Sequence, residues 1–108
     1  RAVYEVVLEA QLAAIDKCRP GHHWNEPHDA AVKAVTHGLV RLGLLKGKPA
    51  KLVKEGAYRK FFMHKTGHWL GMDVHDVGDY KVGDEWRVLE PGMVLTVEPG
   101  IYVPKGTK

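Results

Sequence analysis

The apolar residues of this chain repeat at two different periods, and the change falls near Tyr58. Before it, Val3, Val7, Ala10 and Ala14 recur at helical spacing, with Tyr4, Leu8, Leu12 and Ile15 on the adjoining stripe. Glu5, Glu9 and Asp16 face away, so a broad-faced amphipathic helix is expected, ending at Arg19-Pro20-Gly21. A second helix is expected over residues 27–42. Asn25 is its N-cap, Pro27 sits in the first turn, and Val32, Val35, Leu39 and Leu42 supply the buried stripe. Gly43 follows as a natural helix terminator. Residues 50–55 predict a short helical turn ended near Gly56.

Beyond Tyr58 the helical period is lost. Phe61-Phe62-Met63 is apolar, and residues 69–76 alternate loosely around a glycine, as half-buried extended chain does. Residues 77–87 read as loop, Leu89-Glu90-Pro91-Gly92 as a turn, and 94–103 as a strand interrupted at Pro99-Gly100. Helices first and strands later predict an α+β architecture.

Composition narrows the function classes. At 108 residues there is room for one small domain and not for two. The net charge of +3 is scattered, and its one cluster (Lys46, Lys48, Lys51, Lys54) lies among Gly and Pro, as a solvated connection does. No nucleic-acid surface is expected. The single cysteine, Cys18, allows no internal disulfide, excludes a thiolate zinc site and suits a reducing compartment such as the cytoplasm. It reads as a small residue at a helix end. No apolar run approaches the roughly 20 residues of a membrane span, so no membrane partner is expected. The chain opens at Arg1 in helical pattern without Met or cap and closes just past a strand-like run. We therefore expect residues 1–108 to be an incomplete segment of a larger catalytic domain.

Two features carry chemistry. His64, His68 and His75 fall in one stretch with Gly67, Gly71 and Asp73. His64 and His68 are four apart and would share one face of a helix, but the two glycines disfavour a helix there. No Glu follows the first His, so the zinc-protease helix motif is absent. Surface histidines and a metal cluster both stand as readings. The second feature is Glu98, which alternates with Val97 and points to the opposite strand face. It is either a solvent-facing glutamate or a metal ligand and general base, because an unpaired buried carboxylate would cost several kcal/mol. Imidazole with carboxylate suits hard or borderline divalent ions. A two-metal site needs more bridging carboxylates than these, and Asp73, Asp76, Asp79, Asp84 and Glu90 offer no second ligand set. His22, His23, His28 and His37 read as surface or capping residues, and Trp86 as either core or site wall.

Together, His64-x-x-Gly67-His68-Trp69-Leu70-Gly71-x-Asp73-Val74-His75-Asp76 and Leu89-Glu90-Pro91-Gly92-Met93-Val94-Leu95-Thr96-Val97-Glu98-Pro99-Gly100-Ile101-Tyr102 closely resemble the catalytic domain of the aminopeptidase P family of pita-bread metallopeptidases. Methionine aminopeptidase, prolidase and creatinase share that fold. The resemblance extends over the preceding helices and the Leu42-Gly43-Leu44-Leu45-Lys46-Gly47 connection. Trp69 resembles the aminopeptidase P version of the motif more than that of prolidase.

The resemblance implies a partial pita-bread fold and hydrolysis of the bond between an N-terminal residue and a following proline. It implies two divalent ions, Mn foremost, with Co, Fe or Zn as alternatives. His68 matches the single histidine ligand, and Glu98 a carboxylate ligand that also handles the proton of the attacking water. His64 and His75 match histidines that contact substrate and help shuttle protons or stabilise the tetrahedral intermediate. Two aspartate ligands are expected before Arg1 and one glutamate after Lys108, so residues 1–108 alone are expected to be inactive. Lys65 stands where many relatives have glycine, which removes no ligand. Family members often assemble, so a homo-oligomer stays open, as do a prolidase-type dipeptidase, a creatinase-like hydrolase and a non-catalytic peptide- or protein-binding module.

Overall fold

The computed structural model describes residues 1–68, 81–82, 85–91 and 93–103. Helix α1 spans Ala2–Asp16, α2 Glu26–Arg41 and α3 Pro49–Glu55, and a 3₁₀ turn follows at Ala57–Lys60. Two-residue strands β1 (Lys81–Val82) and β2 (Glu85–Trp86) pair antiparallel, Lys81 opposite Trp86 and Val82 opposite Glu85. Helices therefore precede strands, as the change of period predicts. No described helix is long and apolar enough to cross a membrane.

The three predicted helices form, and α1 buries the expected Ala10 and Ala14 but adds Val6 and leaves the adjoining stripe exposed. Val6, Ala10 and Ala14 are buried, Val3 and Val7 half-buried, and Tyr4, Leu8, Leu12 and Ile15 exposed. The reason lies across the helix pair. Val6 sits directly over Gly38 of α2, where a Cβ would collide with both Val6 methyl groups. Small residues at Ala10, Ala14 and Gly38 let the helices approach closely, so backbone proximity selects the face. On α2, Val32, Val35 and Leu39 are buried as expected, whereas Leu42 is half-buried. Asn25 precedes α2 without capping a backbone N–H; its Nδ2 donates to Asp29 Oδ2 at 2.9 Å. Gly43, at φ 79°, takes the left-handed turn past the end of α2.

Ala10 and Ala14, the α2 stripe, and Tyr58, Phe61 and Phe62 form the core, with Val97 and Ile101 packed against it. Burying each Phe contributes about 1.5–3 kcal/mol. The 3₁₀ turn thus delivers the chain from the core directly to His64.

Beyond residue 80 the sequence expectations need correction. Residues 81–82 and 85–86, read as loop, pair as strands β1 and β2. The described backbone over 94–103, read as an interrupted strand, forms no regular strand. It makes a short antiparallel pairing with residues 66–68 instead: Thr96 N–H donates to the His68 carbonyl at 2.9 Å, and Glu98 N–H to the Thr66 carbonyl at 2.5 Å. The extended run expected at 69–76 lies outside the described residues.

The connection between α1 and α2 pairs with residues 87–89. Gly21 N–H donates to the Leu89 carbonyl at 2.9 Å, Leu89 N–H to His22 at 2.7 Å and Trp24 N–H to Arg87 at 2.6 Å. Glu26, in the first turn of α2, organises this connection. Its carboxylate accepts the His23 backbone N–H at 2.5 Å and lies 2.9 Å from His22 Nδ1. The His22 hydrogen bond, then the His23 backbone bond, hold its pKa down at about 2, from 4.5. A depressed carboxylate stabilises the fold above its ordinary pKa and loses that contribution as pH falls through the folded value. Glu26→Gln in the intact protein is therefore expected to lower the melting temperature at pH 7, with the gap to wild type closing between pH 4.5 and about 2. A gap that stays constant over thermal melts across that range would contradict this assignment.

Candidate active-site cleft

An open cleft of about 1180 Å³ runs between the start of α2, the 64–68 segment and the 95–102 segment. Three of the four sequence-predicted site residues, His64, His68 and Glu98, line it. His75 lies outside the described residues, as do Trp69, Gly71, Asp73 and Asp76.

The backbone pairing between 66–68 and 96–98 brings the first two chemical groups together. His68 Nε2 stands 2.9 Å from Glu98 Oε1, with side chains 16% and 54% exposed. Strand alternation places them: Val97 turns to the core while Glu98 turns to the cleft. Thr96 locks both partners. Its hydroxyl oxygen accepts the His68 backbone N–H at 3.0 Å and lies 3.3 Å from Glu98 Oε1, to which the hydroxyl can donate. Gly67 makes the approach feasible, since any Cβ there would run into the Thr96 carbonyl oxygen. Among the described residues no group of three or more His, Cys, Asp or Glu converges, so imidazole and carboxylate stand as a pair.

His64 sits across the cleft with a defined tautomer. Its Nδ1 lies 2.6 Å from the Lys65 carbonyl, which can only accept, so Nδ1 carries the hydrogen. In the neutral ring Nε2 then accepts the Tyr102 hydroxyl, 2.8 Å away. The His64 ring meets Tyr102 and Phe62 edge to face, at 5.4 and 5.2 Å. An apolar wall with one polar rim results. Trp86 is half-buried and lines the same cleft, which decides between its two sequence readings.

The sequence reading missed Thr66, Thr96 and Tyr102, and misplaced His28. Far from being a surface histidine, His28 shares a 2.8 Å hydrogen bond with Thr66 Oγ1. Burial foremost, then the Lys65 ammonium, holds its pKa below the ordinary histidine value. Thr96 and Tyr102 stand inside the quoted motif, but nothing local gives them, Thr66 or His28 a role, because His28–Thr66, Tyr102–His64 and Thr96–His68 are pairs far apart along the chain. Cys18 fits its expected role: its thiol donates to the Ala14 carbonyl at 3.3 Å and burial raises its pKa.

With this geometry in place, the chain can be set beside known proteins. The model of metallopeptidase family M24 matches residues 1–108. This chain belongs to metallopeptidase family M24. It is 52% identical over 103 residues to a Xaa-Pro aminopeptidase of Haemophilus influenzae, covering 95% of this chain and 24% of that protein. Its structure matches the Pseudomonas aeruginosa aminopeptidase PepP with TM-score 0.95 at 63% identity, covering 97% of this chain and 24% of that one. A zinc-substituted Escherichia coli aminopeptidase P in complex with product matches with TM-score 0.92 at 47% identity, covering 100% of this chain and 24% of that one. The architecture is accordingly part of a pita-bread fold, as the motifs imply, and the chain spans about a quarter of the length of these relatives.

Proposed function

We propose that this chain forms one wall of the catalytic domain of a proline-specific aminopeptidase. The whole enzyme would hydrolyse the bond between an N-terminal residue and a following proline. The carrying observation is the His68–Glu98 pair, in a cleft also lined by His64 and Tyr102. An imidazole nitrogen and a carboxylate oxygen in reach of each other are donors that a hard or borderline divalent ion takes. They fit part of a metal site, and we assign His68 and Glu98 as ligands of two divalent ions, Mn foremost. Zinc is the ion named for one structural relative. The bound ions would lower the pKa of a water from about 15.7 towards about 7, providing a nucleophile at neutral pH.

Each residue of the chain then has a task. Glu98 Oε1 accepts the proton that the attacking water sheds. The Thr96 hydroxyl and the backbone bond to Thr66 hold that carboxylate in one orientation. His64 has Nδ1–H committed to Lys65 and Nε2 bonded to the Tyr102 hydroxyl, so it would donate from Nε2 to a developing oxyanion only as a protonated ring that has released Tyr102. We keep His75 as the second substrate-side histidine. The proline nitrogen of the scissile bond carries no N–H, so the ring must be recognised by shape. The Phe62, His64 and Tyr102 rings offer an apolar wall for it. We place the enzyme in the cytoplasm on its single cysteine.

In the intact protein with Mn, an Xaa-Pro-Yaa peptide is expected to be cleaved at least about 100-fold faster than an Xaa-Ala-Yaa control, a difference of roughly 2.7 kcal/mol in the transition state. EDTA should abolish turnover, and residues 1–108 alone should show none, because their described residues supply a single ligand pair. Equal rates on both peptides, or turnover that survives EDTA, would refute the proposal.

A further inference from the structure

We infer that His28 is a positioning residue for the metal-binding wall, acting through Thr66. The inference rests on the function proposed above.

Thr66 is 2% exposed, and its hydroxyl bonds to His28 Nδ1 at 2.8 Å. A buried hydroxyl left without a partner is destabilising, so this bond fixes the Thr66 side chain. The Thr66 carbonyl in turn accepts the Glu98 backbone N–H at 2.5 Å. One residue further on, Gly67 lies against the Thr96 carbonyl, and His68 follows. Thr66 is therefore the point at which the two ligand-bearing segments are tied to the helical layer. The tie comes from the first turn of α2, a rigid element anchored in the core by Ala31, Val32 and Val35.

The ring of His28 is itself held. It packs against Phe62 at 5.8 Å between centroids, and Phe62 meets His64 edge to face. Phe62 is fully buried, so His28 has little freedom to leave Thr66. His28 leads toward His68 and Glu98 by its bond to Thr66. It acts on them through one hydroxyl and one backbone carbonyl. Groups that orient metal ligands in this indirect way typically change affinity or activity by about 10–100-fold when removed.

The test uses the intact protein. Apo-protein is titrated with Mn(II) by calorimetry, the Mn-loaded protein is assayed for kcat and KM on an Xaa-Pro-Yaa peptide, and thermal melts accompany both. His28→Leu and Thr66→Val are each expected to weaken Mn(II) binding and lower kcat by about 10-fold, with KM within about two-fold. His28→Asn, whose side-chain amide reaches the position of Nδ1, should recover most of both losses. The double variant should be no worse than either single one, because both remove the same bond. Should His28→Leu fail to fold, the near-isosteric Thr66→Val and the His28→Asn comparison still decide. Wild-type Mn(II) affinity and kcat in Thr66→Val, failure of Asn to rescue, or multiplied losses in the double variant would each overturn the inference. Absence of wild-type turnover would refute the proposed function, while the Mn(II) titrations would still judge His28.

Discussion

Replacing His68 by alanine in the intact protein is expected to lower kcat/KM on an Xaa-Pro-Yaa peptide by about 1000-fold, equivalent to roughly 4 kcal/mol of transition-state stabilisation. Two losses combine. The only described imidazole within reach of Glu98 disappears, and with it a nitrogen donor that no neighbouring described side chain can replace. Glu98 is then left with Thr96 as its hydrogen-bond partner, a neutral group at 3.3 Å. The carboxylate would hold its proton relay position less firmly while the ions bind less tightly. The fold should respond modestly: the ion pair reaches the cleft surface through Glu98, 54% exposed, and contributes little, while the His68 side chain, 16% exposed, leaves some packing behind. The measurements are metal content after dialysis, kcat/KM and the melting temperature. Wild-type metal content with wild-type kcat/KM would remove His68 from the ligand set. A collapse of the melting temperature by itself would recast His68 as a structural residue.

How much of this could be read from the residues depends on the range of the interaction. The three helices were legible because burial writes a 3.6-residue period into sequence. Even so, the buried face of α1 was read too broadly: Val6 was left off it, and its adjoining stripe of Tyr4, Leu8, Leu12 and Ile15 is exposed. Hydrophobicity ranks Tyr4, Leu8 and Leu12 above Ala10 and Ala14, yet close backbone packing over Gly38 favours the small residues. The β1–β2 pairing was missed since two-residue strands are too short to carry an alternating pattern. At the site, Glu98 was legible through its alternation with Val97, and His64 and His68 through their clustering. His28 was not. It lies 38 residues from Thr66 in sequence, as Tyr102 does from His64, and only the fold brings each pair together. Family likeness suggests His68 and Glu98 as ligands, but the hydrogen bonds that orient them belong to tertiary structure.

Those orienting bonds converge on a position with no side chain. Gly67→Ala is expected to lower kcat by about 100-fold, the size of effect that a displacement near 1 Å produces at a reacting centre. The constraint is space. A Cβ on residue 67 would overlap the Thr96 carbonyl oxygen, and the Thr96 carbonyl carbon would lie only 3.1 Å away. That oxygen belongs to backbone held on both sides. Thr96 N–H donates to the His68 carbonyl, and Glu98 N–H to the Thr66 carbonyl. Neither strand can yield without stretching one of these bonds, so the alanine must pry apart the two segments that carry His68 and Glu98. Overpacking of this kind costs about 1–3 kcal/mol, so the intact protein should stay folded with a lowered melting temperature. Gly43→Ala separates site geometry from general destabilisation. Residue 43 is at φ 79° with open space around its Cβ position, so alanine there strains only the backbone, by about 1 kcal/mol. It should lower the melting temperature while leaving kcat within about two-fold of wild type, since α2 ends far from the catalytic wall. If Gly67→Ala and Gly43→Ala reduce kcat alike, loss of stability explains both, and the close approach at Thr96 has no special role. If Gly67→Ala alone is slow, the catalytic pair depends on a backbone contact that every side chain other than hydrogen would break.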